Sequence, residues 1–305
     1  MTLGDEKFVI KIPASSANLG PGFDSAGVAL NLYLQLEVEK SDQWYCYSTS
    51  EELKNFPTDE SHLICQIAIQ TAAKYGRELQ PCTIRVDSDI PLARGLGSSA
   101  SAIVAGIELA DYAGGLGLTK KEKLFLATEE EGHPDNVGAS LYGGLVIGSY
   151  RHDEVEILSF PSVSFETVAV IPKESLLTKD SRGVLPSSFS YSEAIQASAT
   201  ANLLIGALLS DNWEVAGKMM EQDLFHQPYR KKLIPFYQEA ESLAKANGAF
   251  GVALSGAGPT LLCFCEKGKG QKLQQDLQGL LPEMTVKQLL IDDTGSRVYK
   301  LEQCR

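Results

Sequence analysis

No Cys-x-x-Cys pair occurs in this chain, although it holds six cysteines, at 46, 65, 82, 263, 265 and 304. Its four histidines are scattered. Both features argue against a structural zinc site and fit reduced thiols in a cytoplasmic protein. No apolar run reaches the roughly 18–20 residues that cross a bilayer. The stretch Met1-Thr-Leu-Gly-Asp-Glu-Lys7 lacks a signal peptide's apolar core. Basic charge is also scarce, with 27 Lys and Arg against 39 Asp and Glu, a net charge of −12. That excess speaks against nucleic acid or an anionic membrane as partner. It leaves room for a phosphate ligand that arrives with its own metal, because backbone N–H groups and a cation act at short range.

What is present centres on Pro91-Leu-Ala-Arg-Gly-Leu-Gly-Ser-Ser-Ala-Ser101. Gly95 and Gly97 let a ligand approach the backbone. The apolar run that follows reads as a buried helix, whose first N–H groups and partial positive charge suit a phosphate. Serine hydroxyls there can cap the helix, touch phosphate or ligate Mg²⁺. A Walker A loop needs a Gly-Lys pair, and none is here. A Rossmann fingerprint needs a third glycine where Ala100 stands, and an acidic residue about 20 positions on. Without a ligand the stretch is a Gly-Ser helix cap.

The 305 residues suggest two domains or one large one. Alternating apolar residues predict strands over 7–13, 28–39, 83–86, 144–150 and 154–160, with 44–48 as a hairpin partner. Residues 14–27 read as a turn-rich loop, 51–60 as polar and irregular, and 137–142 as one short turn. Helices are expected over 61–75 and 120–131, the latter capped by Thr119. Composition shifts at Pro161–Ser164. Beyond it, strands at 167–171, 250–255, 260–265 and 285–291 alternate with helices at 191–209, 213–222, 232–246 and 270–281. That order matches a split β-α-β, ferredoxin-like layout.

Three stretches stand out together: Asn18-Leu-Gly-Pro-Gly-Phe-Asp24, the loop at 91–101, and Leu254-Ser-Gly-Ala-Gly-Pro-Thr260. In this order and spacing they resemble the GHMP small-molecule kinases. Gly132-His-Pro-Asp-Asn-Val137 and Asp223-Leu-Phe-His-Gln-Pro-Tyr-Arg230 are similar to the branch that phosphorylates the side-chain hydroxyl of L-homoserine on the way to threonine. The match runs nearly end to end. It implies an α+β, two-domain GHMP-kinase architecture. A ribosomal-protein-S5-like, ATP-binding domain would span 1–162, and a ferredoxin-like α/β sandwich 163–305. A homodimer is compatible with it.

The resemblance also implies roles. Pro91, Leu92, Ala93, Arg94, Gly95, Leu96, Gly97, Ser98, Ser99, Ala100 and Ser101 would wrap the ATP phosphates. Ser99 and Glu131 would ligate Mg²⁺. Asn18, Asp24, His133, Asn136, Thr178, Arg182 and Arg230 would hold the amino acid. Ser99, Glu131, Asp135 and Asn136 form the expected catalytic set. Asp135 is best placed as a base, although a loose transition state needs none until late. Arg182 and Arg230 suit a carboxylate and Asp24 an ammonium; Ser98 is expected to cap the helix or meet phosphate through its backbone. Two features depart from the family. Asp87-Ser-Asp89 stands where relatives carry a Lys-Asn pair, and Ser61 or His62 where many have an Asn near the base. The alternatives are a GHMP kinase acting on a mevalonate-type alcohol or sugar, a Rossmann-like oxidoreductase, and a non-catalytic ATP-binding module. The paired arginines and Asp24 favour the amino-acid substrate.

Overall fold

The computed structural model describes residues 7–151 and 153–301. The polar N-terminal stretch before Lys7 and Cys304 lie outside them. In chain order the elements are β1 (Phe8–Asn18), β2 (Gly22–Lys40), β3 (Tyr45–Tyr47), α1 (Leu63–Lys74), β4 (Cys82–Ser88), α2 (Ser98–Gly114), α3 (Lys120–Glu131), α4 (Pro134–Tyr142), β5 (Leu145–Arg151), β6 (Glu154–Phe160), β7 (Phe165–Ile171), α5 (Thr178–Gly183), α6 (Tyr191–Leu209), α7 (Trp213–Glu221), α8 (Gln227–Arg230), α9 (Tyr237–Ala246), β8 (Gly251–Leu254), β9 (Leu261–Glu266), α10 (Gly270–Leu280), β10 (Thr285–Leu289) and β11 (Arg297–Lys300).

The first sheet runs β11-β1-β2-β4-β3, with β5 also pairing β2 and β6 beyond it. Residues 14–27, expected as a loop, belong to it. β1 and β2 continue as an antiparallel pair to Asn18 and Gly22, with register shifts at Pro13/Ala14 and Ala17/Asn18. The glycines and proline mark bulges and one tight turn, not a loop. β3 pairs β4 in parallel, so 44–48 is no hairpin partner. α2 and α4 pack on β1 and β2. Residues 137–142 are the body of a nine-residue helix with Pro134 in its first turn, where a missing N–H costs nothing. Thr119 caps α3 in a capping box with Glu122, as expected.

The second sheet, β10-β7-β9-β8, is antiparallel throughout. Its period-2 alternation splits two apolar layers. Val168, Val170, Val252 and Cys263 pack with Ala240 and Ala244 of α9 and Leu273 and Leu277 of α10. Ala169, Ile171, Leu262 and Phe264 join the larger core with Leu204 of α6 and Met220 of α7. The helix expected over 232–246 begins only at Tyr237, because Pro235 interrupts the backbone ahead of it. The chain passes from one sheet to the other between Phe160 and Phe165. It returns at β11, which pairs β1. A cut at 162/163 therefore falls in the first crossing and leaves β11 on the far side.

Candidate active site

One cavity of about 410 Å³ is lined by the first sheet and the start of α2 on one side, and by α5, α8 and the loop after β8 on the other. Every expected site residue lines it except Ala100, which is fully buried in the core. It is within the size range of small-molecule sites.

The loop from Pro91 enters α2 through Gly97, the N-cap, at φ +73°, with Gly95 at +75°. A Cβ on Gly95 would lie 2.1 Å from the Ser255 carbonyl oxygen, and one on Gly97 2.1 Å from Ser15 Oγ. These glycines thus serve contact with the protein itself as well as approach by a ligand. Ser255 Oγ donates to Gly95 O at 2.6 Å. The Gly256 N–H donates to Ala17 O. Arg94, expected at the phosphates, commits its guanidinium to the carbonyls of Leu92, Pro172 and Lys173. The first intrahelical bond of α2 runs from Ser101 N to Gly97 O, so the N–H groups of Ser98, Ser99 and Ala100 precede it. Ser98 makes no side-chain cap, one of the two roles expected of it, because a left-handed glycine occupies the capping position. Ser101 Oγ donates to Ser98 O at 2.9 Å.

Opposite, α3 ends at Glu131, and Gly132 at φ +90° turns the chain into α4. Ser99 Oγ donates to Glu131 Oε2 at 3.4 Å. Burial pushes the Glu131 carboxyl up, with His133 pulling the other way. A hydroxyl beside a carboxylate is a donor pair that suits a hard cation. His133 Nδ1 lies 2.5 Å from Asp135 Oδ1, which also accepts from the Asn136 N–H at 2.7 Å. Burial pushes the His133 imidazole down, but Asp135 outweighs it, so it sits above its ordinary value. Asp135 is fully buried, and its Oδ2 has no hydrogen-bond partner. Asn136 Oδ1 accepts from Ser15 Oγ. Asp24, His133 and Asp135 bring ligand-type atoms within 4.8 Å of one another. Their meeting was not foreseen, since they come from β2 and the start of α4.

Asp24 and Arg182 meet fork to fork, at 2.9 and 3.2 Å. The sequence offered them as separate readers of a ligand's two charges; here they neutralise each other. Asn18 braces Asp24. Its Oδ1 accepts from the Asp24 N–H and its Nδ2 donates to Gly256 O. Asn18, Leu19 and Asp24 all have positive φ, a strained arrangement of the kind found at binding sites. Thr178 opens α5, which carries Arg182. Arg230 is 2% exposed and lies 5.2 Å from the Phe23 ring. Burial, with Arg182 nearby, pushes its guanidinium down to about 10.

The far end of the cavity is apolar, with Leu34, Leu53, Phe56, Leu63 and Val86. Sequence reading missed it; the signals were Leu53 and Phe56 in the otherwise polar run 51–60. His62 caps α1 there, its Nδ1 accepting from the Ile64 N–H. Asp87 turns aside to Arg85 at 2.6 Å.

The family models for the GHMP kinases N terminal domain and the GHMP kinases C terminal match residues 62–144 and 204–283. The chain belongs to the GHMP kinases. Relatives similar to it over nearly the whole chain include homoserine kinases. That of Bacillus licheniformis is 51% identical over 97% of this chain and 96% of its own. That of Bacillus velezensis is 49% identical over 98% and 97%. The crystal structure of homoserine kinase from Cytophaga hutchinsonii superposes with a TM-score of 0.86 at 26% identity, covering 98% of this chain and 99% of the other.

Proposed function

We propose that this chain is a homoserine kinase, transferring a phosphoryl group from ATP to the side-chain hydroxyl of L-homoserine to give O-phospho-L-homoserine. One observation carries the reading beyond kinship. A helix N-terminus suited to phosphates and a set of charges suited to a zwitterion, Asp24, Arg182 and Arg230, face the same cavity. The N–H groups at the start of α2 hold the phosphates. Ser99 and Glu131 are the residues that would hold Mg²⁺, which when bound supplies neutralising charge to the phosphates. The amino acid's ammonium takes Asp24 from Arg182, and its carboxylate takes Arg182 and Arg230, so each partner of the Asp24–Arg182 ion pair is satisfied anew. Asp135 Oδ2 receives the hydroxyl proton, while His133 and the Asn136 N–H hold Oδ1. Positioning and charge do most of the work, since this transition state asks little covalent help.

The test is ADP release from Mg-ATP with L-homoserine, mevalonate and galactose in parallel. Homoserine-dependent release above the blank, and above the other two alcohols, is expected. Release no greater than the blank overturns the reading.

A further inference from the structure

We infer that His226 is a positioning residue for Arg230: its imidazole, wedged between the Gly20 carbonyl and the guanidinium, fixes the direction in which Arg230 offers its remaining N–H groups to a ligand carboxylate. The inference rests on the functional reading above.

His226 is completely buried. Its Nε2 lies 3.0 Å from Gly20 O and 3.3 Å from Asp223 Oδ2, both acceptors. Nε2 therefore carries the proton, and Nδ1 is left with a lone pair. Arg230 Nη1 stands 3.3 Å from that Nδ1 and donates to it. An imidazolium could not accept this bond. Burial pushes the imidazole down to about 4, Arg230 adds to that push, and Asp223 and Asp24 oppose it, so the ring stays neutral at ordinary pH. Phe23 closes the other side, its ring 5.3 Å from the imidazole and nearly parallel to it.

The donor count of Arg230 shows what this accomplishes. A guanidinium has five N–H groups. Nε donates to Ser181 O, and Nη1 donates to Gly256 O and to His226. Nη2 makes no hydrogen bond to a described residue, and Arg230 lines the cavity. Three donors are anchored and two are left for a ligand. Without the acceptor at His226, one anchored N–H is orphaned in a buried site and the planar fork is held by two bonds instead of three. The same imidazole holds Gly20, in the tight turn whose far side carries Asp24. One side chain thus keeps the carboxylate reader and the ammonium reader in register.

The test uses two variants in the intact protein. His226→Gln keeps a donor toward Gly20 and gives up the Nδ1 acceptor. His226→Asn keeps an acceptor near the position of Nδ1. His226→Gln should raise KM for L-homoserine by about 10-fold, with kcat and the KM for ATP within about twofold of wild type. His226→Asn should recover most of that loss. In an Arg230→Lys background His226→Gln should add nothing further, because both act on one carboxylate contact. An unchanged homoserine KM in His226→Gln, an equal rise in both KM values, or full additivity with Arg230→Lys overturns the inference while the kinase reading stands. Wild-type protein that does not turn over homoserine overturns the kinase reading and this one with it.

Discussion

The two ends of the cavity are made of different material. Around the start of α2 the surface is backbone: two glycines pressed against Ser255 and Ser15, helix N–H groups, and carbonyls tied together by Ser255 and Arg94. Across from it, apart from the apolar end at Leu53 and Phe56, it is side chain, arranged in pairs: Asp24 with Arg182, His133 with Asp135, His226 with Arg230. A backbone-built site has no spare volume but little dependence on which small side chains surround it. A side-chain-built site has room for a ligand, and fails when a single donor or acceptor is removed. The difference matches the ligands. Phosphates are alike in every nucleotide and can be held by main chain alone, whereas one amino alcohol must be told from many.

The comparison can be broken most sharply at Gly95. Gly95→Ala puts a methyl 2.1 Å from a backbone oxygen at a positive φ. It should cost about 2–5 kcal/mol and remove activity; the urea midpoint measures it, and a change under about 1 kcal/mol would mean the loop yields. Next comes the side-chain end. Arg230→Lys should lower kcat/KM for homoserine about 100-fold and Arg182→Lys about 10-fold, because the first is buried and the second is 40% exposed on its side chain. Affinity for ATP, followed by titration calorimetry, should stay level in both; a matching loss would dissolve the division into two ends.

A pH effect bears on stability rather than on turnover. His226 titrates near 4 in the fold, against about 6.5 in the unfolded chain. Between those values the unfolded state binds the extra proton, so this residue's contribution is complete above about pH 6.5 and is lost as pH falls toward 4, by about 3 kcal/mol in all. Urea midpoints of wild type and His226→Asn across that window should converge as the pH drops; parallel curves would show that the buried ring is not the source. The smallest effect belongs to Ser98. With no cap to lose, Ser98→Ala should stay within about 0.5 kcal/mol of wild type and leave the Mg²⁺ midpoint unchanged. Ser99→Ala should raise that midpoint. The reverse pattern, read from initial rates over a Mg²⁺ series, would exchange the two serines.

Legibility followed the same division. Residues contiguous in sequence could be read: the loop at 91–101, the Gly-His-Pro-Asp-Asn stretch, the Thr119 cap and the strands of the second sheet. Pairings between distant residues could not. Asp24 and Arg182 are 158 apart, and His226 and Gly20 are 206 apart. Only the fold shows that the expected carboxylate reader already holds the expected ammonium reader. The hairpin at 14–27 was hidden because Gly-Pro-Gly punctuation marks a bulged strand pair as readily as a loop. β11 was hidden because four half-exposed residues carry little periodicity of their own.

That last strand also has a cost in time. Phe8 is partnered with Lys300, and Lys11 with Arg297. A ribosome adding roughly 5–20 residues per second delivers the second member of each pair tens of seconds after the first. Throughout that interval the outer edge of β1 carries unpaired N–H and C=O groups, a template for any other nascent chain nearby. The chain's most exposed moment to aggregation is therefore its own synthesis.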